Sequence, residues 1–174
     1  EIDLVGKNAL VGGSSKGIGR AIAQRLAASG ASITLMARNK NLLQDVVSQL
    51  DTSKGQKHQF LVVDFSNYNA YQKLIEHYFK SNTVDILINN AGALANKPFA
   101  ETTTADFSKV YQINVFAVAE LTRITLPFMK AKSHVVNISS MGGIQGSMKF
   151  AGLAAYSSSK GAVITLTELL AEEY

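Results

Sequence analysis

Short apolar runs alternate with amphipathic stretches along nearly the whole chain, and this alternation limits the fold more than any other feature. Ala9–Val11, Ala31–Ala37, Gln59–Val63, Val84–Ile88 and His134–Ile138 read as strands. Arg20–Ser29, Lys40–Leu50, Tyr68–Phe79 and Thr104–Met129 read as the helices between them, and Ala154–Glu173 as a last helix. Ile22, Ala23, Leu26 and Ala27 give the first helix one apolar face, and Gly30 closes it. Pro127 is expected to end the fourth. Short, mostly apolar strands separated by helices imply βαβ units, hence a parallel sheet buried on both faces.

Crossovers of this kind are right-handed in nearly every case. The predicted fold class is therefore α/β, a Rossmann-like doubly wound parallel sheet of order 3-2-1-4-5. With 174 residues the chain is expected to form a single domain, 1–174, with a sizeable core. No repeat, low-complexity segment or internal linker interrupts it.

Composition excludes several kinds of chemistry. The chain has no Cys, so it has no thiol nucleophile, disulfide or Cys-based metal site. His58, His77 and His134 lie far apart and lack metal-ligand spacing, so no metal is expected. Hydrophobic residues make up 47% and charged ones 17%, as in ordinary globular proteins, and no apolar run is long enough for a membrane span. The net charge of +4 is scattered rather than gathered into a stripe, so neither a nucleic-acid nor a membrane partner is expected. A cytoplasmic location is the expectation. Asn137-Ile-Ser139 matches a glycosylation sequon, but it falls at a strand end expected to be buried.

The first strand runs into Gly13-Ser-Ser-Lys-Gly17-Ile-Gly19, and a helix follows. Glycines let the backbone turn tightly and approach a pyrophosphate, which the free N–H groups and dipole of a helix N-terminus attract. The spacing is G-x-x-x-G-x-G, and no Gly-Lys-Ser/Thr follows as it would in a P-loop. A NAD site ordinarily carries an acid at the end of the second strand. Here that place reads Met36-Ala37-Arg38-Asn39. Arg38 and Lys16 can pair with a 2′-phosphate, and Ser14 and Ser15 can add hydrogen bonds. The expected cofactor is NADP(H); the plain alternative is that both cations are solvated surface residues.

Tyr156 and Lys160 are four apart in a helical stretch and so share a face. An ammonium close to a phenol favours the phenolate, and such a Tyr can pass a proton to or from a substrate oxygen. Taken alone, the pair also fits an amphipathic helix with a snorkelling Lys. Ser139 and Ser140 follow the fifth strand at the sheet edge where doubly wound folds bind ligands, and a hydroxyl there can steady a developing oxyanion. Asn89 and Asn90 end the fourth strand at the same edge. Asn114 interrupts the apolar segment Val110–Val118, is unfavourable inside a helix, and should have a partner.

Together these pieces resemble the classical short-chain dehydrogenase/reductase family. The matching segments are Gly13-x-x-x-Gly17-Ile-Gly19, Asp64, Asn89-Asn-Ala-Gly92, Asn114, Asn137-Ile-Ser-Ser140 and Tyr156-x-x-x-Lys160, in the family's order and across nearly the whole chain. The resemblance implies that Tyr156 is the catalytic acid/base, that Lys160 binds the nicotinamide ribose and favours ionisation of Tyr156, and that Ser140 hydrogen-bonds the substrate carbonyl. It implies that Asn114 supports Lys160 through a water-linked relay. Asp64 and Phe65 would flank the adenine, with Asn90 and Ala91 on the adenosine ribose side and Gly92 as a further cofactor-binding residue. NADPH-preferring members carry a base before the second glycine and an Arg after the second strand, as Lys16 and Arg38 do here.

The implied activity is NADPH-dependent reduction of a carbonyl to an alcohol, with a 3-oxoacyl thioester as the first candidate substrate. An epimerase or dehydratase of the extended relatives, or a binding protein without turnover, are the alternatives. The family also implies a homodimer or homotetramer. Three departures stand out. Gly12 replaces the usual Thr. The Ser140–Tyr156 loop is about three residues longer than usual, which brings Ser147 into view as a rival to Ser140. Lastly, the chain stops at Tyr174, so the last strands and the substrate-binding segment are expected to lie beyond it.

Overall fold

A computed structural model describes residues 2–174. The described residues group into two compact units, one of 2–91 with 122–136 and one of 92–121 with 137–174.

The first unit is organised by the parallel sheet. Its strands are β1 (Asn8–Gly12), β2 (Ser32–Ala37), β3 (Gln59–Val62) and β4 (Ile86–Asn89), and β5 (His134–Asn137) completes the order β3-β2-β1-β4-β5. This is the expected doubly wound order. Leu10 pairs with Thr34 of β2 on one side and Leu87 of β4 on the other, and Leu35 pairs with Phe60 of β3. The central strands are apolar along their length because both faces are covered: Leu10, Val11, Ile33, Leu35, Met36 and Leu87 are fully buried. Each such aliphatic side chain contributes roughly 1.5–3 kcal/mol by leaving water.

Helices α1 (Gly17–Ala28), α2 (Lys40–Ser48) and α3 (Tyr68–Tyr78) alternate with these strands. The Asn39 side chain accepts from Leu42 N at 3.0 Å, and that of Asn67 from Ala70 N at 3.2 Å, so α2 and α3 begin on side-chain caps. Helix α1 begins on Lys16 with no side-chain cap and no acid in its first turn. At its other end Gly30 turns with φ of 106° and packs against Val5.

The second unit contains α4 (Thr104–Tyr111), most of α5 (Ala117–Thr125) and α6 (Ala154–Glu173). The span Thr104–Met129 differs from the uninterrupted helix expected there. Gln112–Phe116 forms a π-turn between α4 and α5, and Leu126–Phe128 is a 3₁₀ turn. The α-helix ends at Thr125, two residues before Pro127, because proline disfavours α geometry in the residue before it and has no N–H to continue the ladder. The π-turn is centred on Asn114, the polar residue for which a helical pattern has no place. The remaining element boundaries move by at most a few residues; α1 starts earlier than expected, at Gly17, within the glycine turn itself. Among the described residues no helix is long and apolar enough to cross a membrane.

Thr103 opens α4 with a capping box: its hydroxyl accepts from Asp106 N at 3.2 Å, and the Asp106 carboxylate accepts from Thr103 N at 2.8 Å. Lys97 reaches the same carboxylate at 2.6 Å, and these contacts hold the Asp106 carboxyl well below the usual range, Lys97 first. Thr103→Ala is expected to lower stability by about 1 kcal/mol, measured as a shift of the urea midpoint with an unchanged slope.

Candidate active site

In the first unit, β1 leads into a turn built from close backbone approaches. Gly13 has φ of 63°, and its N–H donates to Met36 O at 2.8 Å. The Asn90 side chain donates to Gly12 O at 3.3 Å and to Gly13 O at 3.1 Å, tying the end of β4 to the turn. A Cβ on Gly19 would run into the Gly13 carbonyl oxygen. Gly19 therefore carries the start of α1 directly against the turn, a contact no other residue permits. Gly17 differs: its φ is 56° and a Cβ there would meet nothing within 4 Å. One glycine is needed for packing inside the turn, the other for a backbone that presents its surface outward.

The expected cofactor residues divide along this line. Ser14 is fully buried, and its hydroxyl accepts from Met36 N at 3.0 Å. It braces β1 against β2 and presents no hydroxyl outward. Lys16, Gly17 and Ile18 are exposed at the uncapped N-terminus of α1, and Ser15 is half-buried. Arg38 is exposed just past β2. Asp64 accepts from Ser66 Oγ at 2.7 Å and from Ser66 N at 3.0 Å. These two bonds, with a smaller contribution from the Arg38 charge, hold its carboxyl below the usual range. Phe65 is buried, its ring lying beside the Gly12 backbone and 5.7 Å from that of Tyr71. Ala91 is half-buried, packed close to Gly13. The donor set fits an anionic dinucleotide: N–H groups left free at a helix N-terminus, a glycine cradle, exposed cations, and no acid at the end of β2.

The second unit holds the proton-transfer candidates. Lys160 is only 5% exposed, its Nζ donates to Ile138 O at 2.8 Å, and it lies 5.8 Å from the centroid of the Tyr156 ring. Among the described residues no carboxylate pairs with it. Burial lowers its pKa below the ordinary lysine value. Tyr156 is half-buried. The snorkelling alternative therefore does not describe Lys160, whose ammonium is turned inward.

Asn114 is fully buried in the π-turn and has the partners its position demanded. Its Oδ1 accepts from Ala93 N at 2.7 Å, and its Nδ2 donates to Ala93 O at 3.0 Å and to Ser159 Oγ at 2.9 Å. Gly92, exposed, immediately precedes this clamp. Ser159 in turn donates to Tyr156 O at 2.6 Å. Ser140 is half-buried at the head of the 3₁₀ turn Met141–Gly143, where its hydroxyl accepts from Gly142 N at 3.3 Å. The rival hydroxyl of Ser147 is engaged inside its own loop, at 2.8 Å from Ile144 O and 2.7 Å from Lys149 Nζ.

The short chain dehydrogenase profile matches residues 7–174. The chain belongs to the short chain dehydrogenase family. It is 35% identical over 173 residues to a fatty acyl-CoA reductase from Acinetobacter baylyi, covering 97% of this chain and 57% of that protein. It is 31% identical over 176 residues to the 3-oxoacyl-acyl-carrier-protein reductase of Aquifex aeolicus, covering 99% of this chain and 70% of that protein. The structure resembles a Sinorhizobium meliloti dehydrogenase/reductase with a TM-score of 0.91 at 33% identity, over 99% of this chain and 68% of that one. It also resembles a Shigella flexneri short chain dehydrogenase solved with NADP, with a TM-score of 0.89 at 32% identity, over 100% of this chain and 74% of that one. The chain thus spans between just over half and about three quarters of the length of these relatives.

Ser159 stands outside the motifs that carry the family resemblance. The signal was present: it lies three residues after Tyr156, so it shares a helix face with it.

The buried ammonium sets a pH dependence. Burial puts the folded-state pKa of Lys160 below 10.5, the value for a free lysine. Between the two, the folded state binds fewer protons than the unfolded state, so stability rises with pH. Relative to Lys160→Met, the wild type should therefore gain stability as pH climbs toward 10.5; parallel urea unfolding series at neutral and alkaline pH check this.

Proposed function

We propose that this chain carries the machinery for reversible, NADPH-dependent reduction of a carbonyl to an alcohol. The observation that carries the reading is the buried Lys160, hydrogen-bonded to Ile138 O at 2.8 Å with its ammonium 5.8 Å from the Tyr156 ring centroid. A lysine ammonium is stabilised poorly when removed from water. Its retention beside a half-buried phenol is what a Tyr acid/base requires.

The residues have separate roles in this reading. The turn Gly13–Gly19, with the N-terminus of α1, binds the pyrophosphate. Lys16 and Arg38 pair with the 2′-phosphate, Arg38 through its forked donors. Ser15 and Ile18 line the turn, Ser14 and Asn90 brace it, and Asp64, Phe65, Ala91 and Gly92 border the adenosine. A nicotinamide held by these residues would supply hydride to the carbonyl carbon, or accept it in the reverse direction. Tyr156 donates the proton to the carbonyl oxygen, and the Lys160 charge stabilises the phenolate left behind. Ser140 hydrogen-bonds the same oxygen as charge builds on it. Asn114, clamped to Ala93 and Ser159, holds the π-turn from which it can serve proton supply to Lys160.

The NADP complex of the Shigella flexneri relative supports the choice of cofactor. A 3-oxoacyl thioester is the substrate class favoured here. Two relatives are named for acyl thioester chemistry. The loop after Ser140 exposes Met141, Ile144, Met148 and Phe150, apolar surface suited to an acyl chain. Exposed Phe116 and Leu169 support association of copies into a dimer or tetramer.

Tyr156→Phe should leave folding and NADPH binding intact and lower turnover by a factor on the order of 10²–10⁴, read as NADPH oxidation with a panel of carbonyl compounds; near-normal turnover contradicts the acid/base role. Arg38→Asp should cost a charge-assisted contact of roughly 1.5–3 kcal/mol and swing the NADPH-to-NADH affinity ratio by about ten- to a hundredfold. Fluorescence titration with each nucleotide measures that ratio, and an unmoved ratio contradicts the 2′-phosphate assignment.

A further inference from the structure

The two adjacent serines after β5 make different contacts. Ser140 caps its own 3₁₀ turn. Ser139 reaches α6 instead, its Oγ donating to the backbone carbonyl of Lys160 at 2.8 Å. The residue just before it, Ile138, receives the Lys160 ammonium on its own carbonyl at 2.8 Å. Consecutive residues thus grip one lysine at both ends, main chain and side-chain tip. Gly143 adds a third restraint. A Cβ there would lie 2.5 Å from the carbonyl carbon of Lys160 and 2.8 Å from its oxygen, while Gly143 N donates to Ser140 O at 2.9 Å. The segment following β5 is therefore pressed against the Lys160 peptide.

A lysine side chain is a flexible four-carbon stem, and one hydrogen bond at its tip does not fix it. Its position depends on how firmly its backbone is held relative to the acceptor. Here the Ser139 hydroxyl supplies that link, since donor and ammonium acceptor belong to neighbouring residues. We propose that Ser139 is a positioning residue: its hydrogen bond to the Lys160 carbonyl locks α6 to the segment that follows β5, so that Ile138 O holds the ammonium beside the Tyr156 ring. The proposal rests on the reading of Tyr156 and Lys160 as the proton-transfer pair.

The test uses the chain labelled with 13C at the lysine ε-carbons. The Lys160 signal is assigned by its loss in Lys160→Arg. In the wild type the Tyr156 ring current and burial should set this signal apart from those of exposed lysines. Ser139→Ala should move it toward the exposed lysines, and Ser139→Thr, which keeps the hydroxyl, should retain it. With acetoacetyl-CoA and NADPH, Ser139→Ala should lower kcat on the order of ten- to a hundredfold, with the KM for NADPH nearly unchanged, and Ser139→Thr should recover most of it. A folded Ser139→Ala that keeps both the Lys160 signal and kcat overturns the proposal. If Ser139→Ala does not fold, Ser139→Cys, of similar size with a weak donor, is read by the same criteria. A wild type that reduces no carbonyl compound refutes the functional reading, while the Lys160 signal in the variants still decides the role of Ser139.

Discussion

The Tyr156 turn of α6 depends on keeping the Lys160 ammonium out of water with no acidic partner among the described residues. Lys160 is held by a backbone carbonyl, that of Ile138, and by the contacts that fix its own peptide. A carboxylate partner would neutralise the charge locally and leave less of it to act on a neighbouring phenol. A carbonyl satisfies one donor and leaves the net charge in place. The polar chain from Ala93 through Asn114 and Ser159 to the Tyr156 carbonyl keeps the same turn of α6 fixed from the other side. The π-turn at Asn114 belongs to this arrangement, since it gives a fully buried amide a place where each of its polar atoms is bonded.

In the proposed reading, the first unit meets a different constraint, that of bringing backbone N–H groups to an anion without side chains in the way. Three of its elements converge on this. Asn90 at the end of β4 donates to the turn carbonyls, Ser14 fastens the turn to β2, and the absent Cβ of Gly19 lets α1 start in direct contact with it. Helices α2, α3 and α4 open on Asn39, Asn67 and Thr103 caps, whereas α1 opens on Lys16 with none, as α6 does on Leu153. In the proposed reading, the α1 donors that a cap would have occupied serve the nucleotide phosphates.

The strand order, the glycine turn and the helical pair Tyr156–Lys160 were legible in the chain because each follows a local rule: strand period, turn conformation, helix period. Asn114 was legible as an anomaly, a polar residue in an apolar helical stretch, although the pattern carried no hint that the helix would widen into a π-turn. The role of Ser14 was not legible. Its place beside two motif glycines suggested a ligand contact, and only the three-dimensional approach of β2 shows its hydroxyl taken by Met36. Likewise the bond Ser139 donates to Lys160 and the bond Ser159 accepts from Asn114 join residues 21 and 45 positions apart, separations that no local pattern encodes. The inward turn of Lys160 also depends on such distant packing, since a Tyr-x-x-x-Lys spacing is equally compatible with an exposed, snorkelling side chain.

The proposed reaction is net transfer of hydride and proton to a carbonyl. The most direct measurement is stoichiometry: the chain is incubated with NADPH and acetoacetyl-CoA, and the nucleotide oxidised is counted against the hydroxyl product by mass spectrometry. One NADPH should be consumed for each 3-hydroxyacyl product formed. NADPH left unconsumed, whether or not the acyl compound is altered, would contradict it.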